Sequence, residues 1–452
     1  MWYVALCLIL CLEGAAMAAE LRTPKDEPLL DWSEWQTYRA TVQHPAGVIK
    51  AADVARAREN IERYEWARKY LASVQSSAAG WLPKLTPEYL EQMIPETTPG
   101  DTGFTPCPAC RDLGKPAHPH GQWQWDPAKP EVVTCQVCKT VFPNEQYPES
   151  IVLTTTYGKP QKLSFYGGKG FTIFSYFGRP SFTGYIRARK VGYMAGVARN
   201  LAEAYLLTAN PDFADATRRI LLRFAQVYPN WLVHVGYGEY ADMDPHIAAL
   251  NINNLPADEL CPGPTKPDRK LHTGYWSAGR ASGTGMEGEF VRQMVEAYDF
   301  TCTATRDGKP IYSEEERLKI ERDLLLESTV LLVADKSVNN KSVGNATAVA
   351  LVGMVVGHPR MVRFGLNNFL DTVNNWFLPD GSTSESWAYA SMTLSGIVHL
   401  GQAFRGYSDP PGYTDAEGKR LDKFDLYHDT NYYKVWQAMF DGLQGDLKYP
   451  PL

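Results

Sequence analysis

Two groups of residues in this 452-residue chain have types and spacings that chemistry can use. The first is "NNKSVGNATAV", residues 339 to 349, where Asn339, Asn340, Lys341 and Asn345 stand ahead of the apolar run "ALVGMVVG". Carboxamides are neutral dipoles, and a helix start adds unpaired backbone N–H groups at the positive end of the helix dipole. Concentrated at one turn, they make a cradle for a carboxylate and do not compete for a proton being removed from the carbon beside it. Asn345 also reads as an N-cap for the helix that follows, or as the acceptor of an "NAT" glycosylation sequon, and Asn339 as a solvated turn residue. The second group is "CPAC" (Cys107, Cys110) with "CQVC" (Cys135, Cys138). Each CxxC turn offers two thiolates from one side, and two such turns complete the tetrahedron that zinc prefers. Four thiolates leave no position for a water, so the expected zinc is structural; two disulfides in an oxidising compartment are the alternative. His118 and His120, between the knuckles, read as surface residues, and Cys261 and Cys302 as a pair or as buried thiols.

A long irregular stretch from Trp231 to Gly285 is of a length usually reserved for function. Within it Tyr240, His246, Trp276 and Arg280 are candidates for substrate contact. Arg280 has the forked donors to hold a carboxylate or sulfate, or simply pairs with Glu287, and Trp276 has the flat face that stacks on a pyranose. Asp242, Asp244, Glu287 and Glu289 are the carboxylates from which a glycoside hydrolase would draw its two. His399 falls on an apolar face and reads as a core residue.

The elements that must position these groups are mainly helical. The opening "MWYVALCLILCLEGAAMAAELR" is too short an apolar run to span a bilayer and ends in a small-residue pattern, so residues 1–18 read as a signal peptide. The expected product is secreted or periplasmic, with no membrane span after signal removal. A formal net charge of -6 argues against nonspecific nucleic-acid binding. After an extended entry, Asp53 reads as the N-cap of a helix whose Val54, Ile61, Trp66, Tyr70 and Leu71 form an apolar face. Residues 81 to 180, rich in Pro, Gly and aromatics, read as loops and short strands around an inserted four-cysteine module at 104–150. Helical patterns then follow in pairs: 188–209 with 211–231 across an "NPD" turn, "MEGEFVRQMVEAYDFTC", a helix opening on a Ser313 to Glu316 capping box, then 345–357, 359–376, 388–405 and 430–444. Sequential pairs without a short repeat predict one mainly α domain over 19–452, an incomplete (α/α) toroid of antiparallel helix pairs carrying a zinc-ribbon-like insertion.

Several segments resemble one family. "HPAGVIKAADVARARENIERYEWAR", "HTGYWSAGRASGTGMEGEFVRQMVEAYDFT" and "NNKSVGNATAVALVGMVVGHPRMVRFGLNNFLDTVNNWFLPDGSTSESWAYASMTL" are similar to the heparinase II/III-like polysaccharide lyases, with "FLPDGSTSESWAY" the most specific part. The resemblance implies an (α/α) toroid and cleavage of a uronate-containing acidic polysaccharide by β-elimination. It also implies a C-terminal β-sandwich, for which the stretch after Arg405 is too short. It places the carboxylate-neutralising amide at Asn340, helped by Asn345, and the phenol that protonates the leaving oxygen, and possibly acts as base, at Tyr389. Lys341 stands where the family has a histidine; it serves as base only with a lowered pKa, and His246 is the substitute if it reaches the groove. Glu385 either orients Tyr389 and contacts substrate or caps the helix. A glycoside hydrolase or a uronyl epimerase on the same toroid, or an acidic-glycan-binding protein without catalysis, are the alternatives.

Overall fold

The computed structural model describes residues 20–449 except 101–102, 174–175, 236–239, 253, 256–277 and 283–286. The expected leader, Cys261 and Trp276 lie outside the described residues.

The chain begins with α1 (Ser33–Tyr38), then α2 (Ala51–Arg63) and α3 (Glu65–Ala79). Asp53 is not the N-cap of α2: Lys50 holds that position, and the Asp53 carboxylate reaches back from the third helical residue to the Lys50 N–H at 3.1 Å. The expected apolar face of this segment is not buried either, because Tyr64 is extended and breaks the helix, leaving Trp66 63% and Tyr70 53% exposed.

After α4 (Pro87–Met93) comes the cysteine module: α5 (Pro108–Asp112) and a three-stranded antiparallel sheet of β1 (Trp123–Trp125), β2 (Val133–Cys135) and β3 (Val141–Phe142). Trp123 and Phe142 pack on Phe182 and fasten this module to the helical body. Two hairpins follow, β4 (Ile151–Thr154) with β5 (Lys162–Phe165) and β6 (Phe171–Ile173) with β7 (Tyr176–Gly178).

The long helix α6 (Phe182–Thr208) starts on the Ser181 hydroxyl, which accepts from the Gly184 N–H at 3.0 Å, and ends at Ala209 in the left-handed region. Asn210 and Pro211 then start α7 (Pro211–Val227) at once, so the chain reverses on itself. Next come α8 (Pro245–Leu250), α9 (Glu287–Thr301) and a tight hairpin of β8 (Thr305–Arg306) and β9 (Lys309–Pro310). The predicted capping box opens α10 (Glu314–Ile320) as expected. The last helices are α11 (Ser342–Val356), α12 (Pro359–Asp371), α13 (Trp387–Ala403), α14 (Leu426–Asp429) and α15 (Tyr432–Asp441).

Helices α3, α6, α9, α11 and α13 are neighbours in that order, with α7 and α12 packed against α6 and α11. This is the mainly α, incomplete toroid of helix pairs with a small four-cysteine insertion, and the described residues after α13 form two short helices. Helix α11 is buried on every side except at Gly344, which is why its sequence is apolar all round. Phe290 of α9 stacks on Tyr228 at 5.7 Å and meets Phe224 edge-on at 5.3 Å. Each such buried ring contributes about 1.5–3 kcal/mol. No helix among the described residues is long and apolar enough to cross a membrane.

Candidate functional site

Three helices approach closely where the asparagine turn lies, and glycines allow it. A Cβ on Gly288 of α9 would sit 2.8 Å from the Asn345 Oδ1 and the Gly344 carbonyl. One on Gly396 of α13 would meet Val343 at 2.8 Å and the Gly344 nitrogen at 3.2 Å. The first turns of α9 and α11 therefore lie against each other beside the middle of α13.

Between them is a cleft of about 230 Å³ lined by Glu289, Arg292, Asn340, Lys341, Asn345 and His399, with Met392 and Ser395 on the α13 wall. Asn339 caps α11: its Oδ1 accepts from the Lys341 N–H at 2.9 Å and the Ser342 N–H at 3.0 Å. It is a structural residue of the turn and not merely a solvated one. Asn345 does not cap α11. It is buried one turn in, and its Oδ1 accepts from the Gly288 N–H at 2.9 Å, capping α9 across the helix contact. Burial also removes it as a glycan acceptor. With the oxygen so engaged, no described residue takes a hydrogen bond from the Asn345 amide nitrogen, and that donor belongs to the cleft wall.

Burial lowers the pKa of Lys341. His399, read from sequence as a core residue, lines the cleft instead. Burial first, then the charge of Arg292, push its pKa below the usual histidine value, so the ring is neutral at pH 7. The periodicity that exposes it is visible in the sequence: Tyr389, Met392, Gly396 and His399 fall at i, i+3, i+7 and i+10 on α13, one face of one helix. Tyr389, the expected acid, does not line the cleft: it is 42% exposed near the start of α13, its N–H bound to the capping Ser386 hydroxyl, and ten residues of helix, about 15 Å, separate it from His399. Arg292 donates to Glu289 at 2.6 Å and to Glu296 at 2.8 Å.

Other expected site residues lie elsewhere. Arg280 is fully buried. Its guanidinium donates to the carbonyls of Trp231, Tyr228 and Pro229 and, at 2.6 Å, to the Glu327 carboxylate, which leaves nothing for a substrate. Glu287 is also fully buried. It accepts from the N–H groups of Arg280, Ala281 and Ser282 and from the Tyr228 hydroxyl, clamping that loop onto the start of α9. Tyr240 is 2% exposed beside Phe165 and His234, so it is a core ring. His246 is not in the cleft: its Nε2 is 2.8 Å from Glu327 and its ring packs on Trp32. Glu385 is exposed, lies outside the cleft lining and makes no hydrogen bond to Tyr389; only its N–H is engaged, by Thr383. Asp242 accepts from the N–H groups of Thr156 and Tyr157, and Asp244 caps α8. Of the four carboxylates considered for hydrolysis, Glu289 alone lines the cleft, so the flanking pair a hydrolase needs is not assembled there.

The four module cysteines do come together. Cys107 caps α5 and Cys110 lies within it, while Cys135 ends β2 and Cys138 follows in the turn whose Lys139 is left-handed. All four Sγ atoms lie within 4.8 Å of one another, with Cys107 to Cys138 and Cys110 to Cys135 at 3.6 Å. The thiols are not bonded to each other, since a disulfide needs about 2.05 Å. The cluster is of a size to hold a metal ion: a tetrahedron with ~2.3 Å zinc–sulfur bonds has sulfur edges of about 3.8 Å. His118 and His120 are not part of it. Cys302 is a buried free thiol.

No protein-family model matches the chain, and no curated protein does. Neither comparison supports the resemblance to the heparinase II/III-like lyases. Among solved structures the chain is similar to alginate lyase A1-III from Sphingomonas species A1, at 11% identity and a TM-score of 0.38, over 65% of this chain and 68% of that one. An overlap at that level assigns no residue a role.

Proposed function

We propose that this protein is a polysaccharide lyase that cleaves a uronate-containing polymer by β-elimination in the cleft between α9, α11 and α13. The observation that carries the reading is that Asn340 in the turn before α11, Asn345 on α11, Arg292 on α9 and His399 on α13 line one small cleft.

The chemistry follows from what each group can do. The proton on C5 of a uronate is very weakly acidic while its carboxylate keeps full charge. Asn340 and the Asn345 amide nitrogen relieve that charge in the enolate-like transition state. His399, neutral at pH 7, takes the C5 proton. The C4=C5 double bond forms as the C4–O4 bond breaks, and the His399 imidazolium so formed gives that proton to the departing O4. The histidine missing after Asn340 is thus replaced by one from the facing helix. A second reading has Lys341 as the base, since burial lowers its pKa too; retention of turnover in His399→Gln together with loss in Lys341→Arg would favour it.

The test is a screen of alginate, unsulfated and sulfated glycosaminoglycans and ulvan for a product absorbing in the ultraviolet. A conjugated C4=C5 product that disappears in His399→Gln supports the reading. A new reducing end without absorbance indicates a hydrolase, and solvent deuterium incorporation without cleavage an epimerase. Glycan binding that survives Asn340→Ala and His399→Gln, with no turnover in the parent protein, indicates a binding protein. The same proposal gives the four cysteines a structural zinc and, from the amino-terminal apolar stretch, places the mature chain outside the cytoplasm, secreted or periplasmic.

A further inference from the structure

Three large rings stand uncovered beside one another at the start of α3. Tyr64, in the break between α2 and α3, and Trp66 are stacked, with centroids 6.1 Å apart and planes 19° from parallel, and Tyr70 follows Trp66 one turn along. Trp66 is 63% exposed, and neither Tyr64 nor Tyr70 is below 47%. A single exposed ring is ordinary, but rings grouped on one side of a helix mark a surface that something meets. Helix α3 is also inverted for packing: the residues it buries are the small Ala67 and Ala78, and the rings are left outside.

The side of α3 that carries the rings is the side of the cleft. The Tyr70 hydroxyl is hydrogen-bonded to Glu203 of α6, and Glu203 pairs with Arg199 one turn away. Arg199 reaches Glu296 of α9 at 3.1 Å, Glu296 holds Arg292 at 2.8 Å, and Arg292 lines the cleft. A polar track thus runs from Tyr70 across α6 to α9, two interhelix spacings or about 16–20 Å. Its bed is open. Gly196 and Gly192 lie one and two turns before Arg199 on the same face of α6, and a Cβ on either would meet nothing within 4 Å. Glycine inside a helix is destabilising, and no neighbour requires it there.

A pyranose has an apolar C–H face and a rim of hydroxyls. Exposed aromatic faces suit the first, and a track of carboxylates and guanidiniums suits the second. Resting on the lyase reading above, we infer that Tyr64, Trp66 and Tyr70 form a remote platform for the same polysaccharide, on which a sugar ring several residues from the reacting bond stacks, with Trp66 as the anchor. The platform adds hold on the polymer and takes no part in the bond-breaking step.

Affinity electrophoresis of the full chain against alginate, heparosan, chondroitin and ulvan gives binding, and ultraviolet absorbance gives turnover. Trp66→Ala should weaken polymer binding and raise KM about threefold to tenfold while kcat at saturation stays within about twofold, and Trp66→Tyr should keep most of the binding. Because stacking on an uncharged ring is not screened, the loss should be the same at low and high salt. Unchanged polymer binding in a folded Trp66→Ala, an equal loss in Trp66→Tyr, a loss that vanishes at high salt, a fall in kcat at unchanged KM, or no binding of any of the four polymers by the parent would overturn it. Binding that depends on Trp66 with no unsaturated product from any polymer would retire the lyase reading and leave the platform standing.

Discussion

Asn345 is asked to do two things, and two substitutions separate them. Its Oδ1 caps α9 through the Gly288 N–H, while Asn345 also lines the cleft, where its amide nitrogen is proposed to meet the substrate carboxylate. Asn345→Ala removes both: a buried N–H loses its partner, which costs about 1–3 kcal/mol of stability, and the neutralising dipole disappears. Asn345→Asp keeps an oxygen for the Gly288 N–H, and a carboxylate at a helix start is favourable by about 0.3–1 kcal/mol, so the fold is held. It also sets a negative charge against the substrate's own. Two unit charges about 4 Å apart at an effective dielectric of about 20 repel by about 4 kcal/mol, on the order of a thousandfold in rate. Thermal unfolding and kcat/KM from ultraviolet absorbance, measured on both variants, give the expected pattern: Asn345→Asp melts near the parent and is nearly inactive, while Asn345→Ala melts several degrees lower. Parental turnover in Asn345→Asp would refute the carboxylate cradle, and parental stability in Asn345→Ala would refute the cap.

Three further outcomes are expected. Because burial and Arg292 hold the His399 pKa below 6.5 and the base must be neutral, kcat/KM should be level through pH 7 and fall only in acid, with a midpoint under 6.5; a midpoint above 6.5, or one unmoved in His399→Asn with residual activity, contradicts the assignment. Elemental analysis should find one zinc per chain, absent from Cys135→Ser together with the protease resistance of residues 104–150, and a metal-free parent would exclude the zinc site. His246→Ala should keep turnover within about twofold and cost about 1 kcal/mol of stability, since Glu327 retains Arg280 at 2.6 Å; a tenfold loss of turnover at unchanged melting temperature would return His246 to the site.

Local signals were legible where a short segment decides its own structure. The two CxxC turns, the Ser313 to Glu316 capping box, the "NPD" reversal between α6 and α7, and the all-apolar α11 each follow from residues within a few positions of one another. The helix-pair order follows from these. Side chains whose partners are distant in sequence were misjudged. Arg280, Glu287, Tyr240 and His246 have the chemistry of a binding loop, and nothing nearby in the chain shows that Arg280 and His246 meet Glu327, that Glu287 takes the Tyr228 hydroxyl, or that Tyr240 packs on Phe165. The α3 aromatics belong to an apolar spacing yet stay exposed, because periodicity reports a face and not what covers it.

By itself, then, the sequence determined most of the longer helices, the cysteine cluster and an amide-rich turn at 339–345, because backbone capping, hydrophobic period and thiol spacing act over a few residues; it missed the short α4, α5 and α8 and the break between α2 and α3. Only the tertiary structure decided that α9, α11 and α13 touch through glycines, that Asn345 caps a helix not its own, and that His399, far along the chain from Asn340, faces the same turn. The reason is physical: a site assembled from three helix faces is fixed by packing, and packing depends on long-range complementarity that no local window of sequence contains.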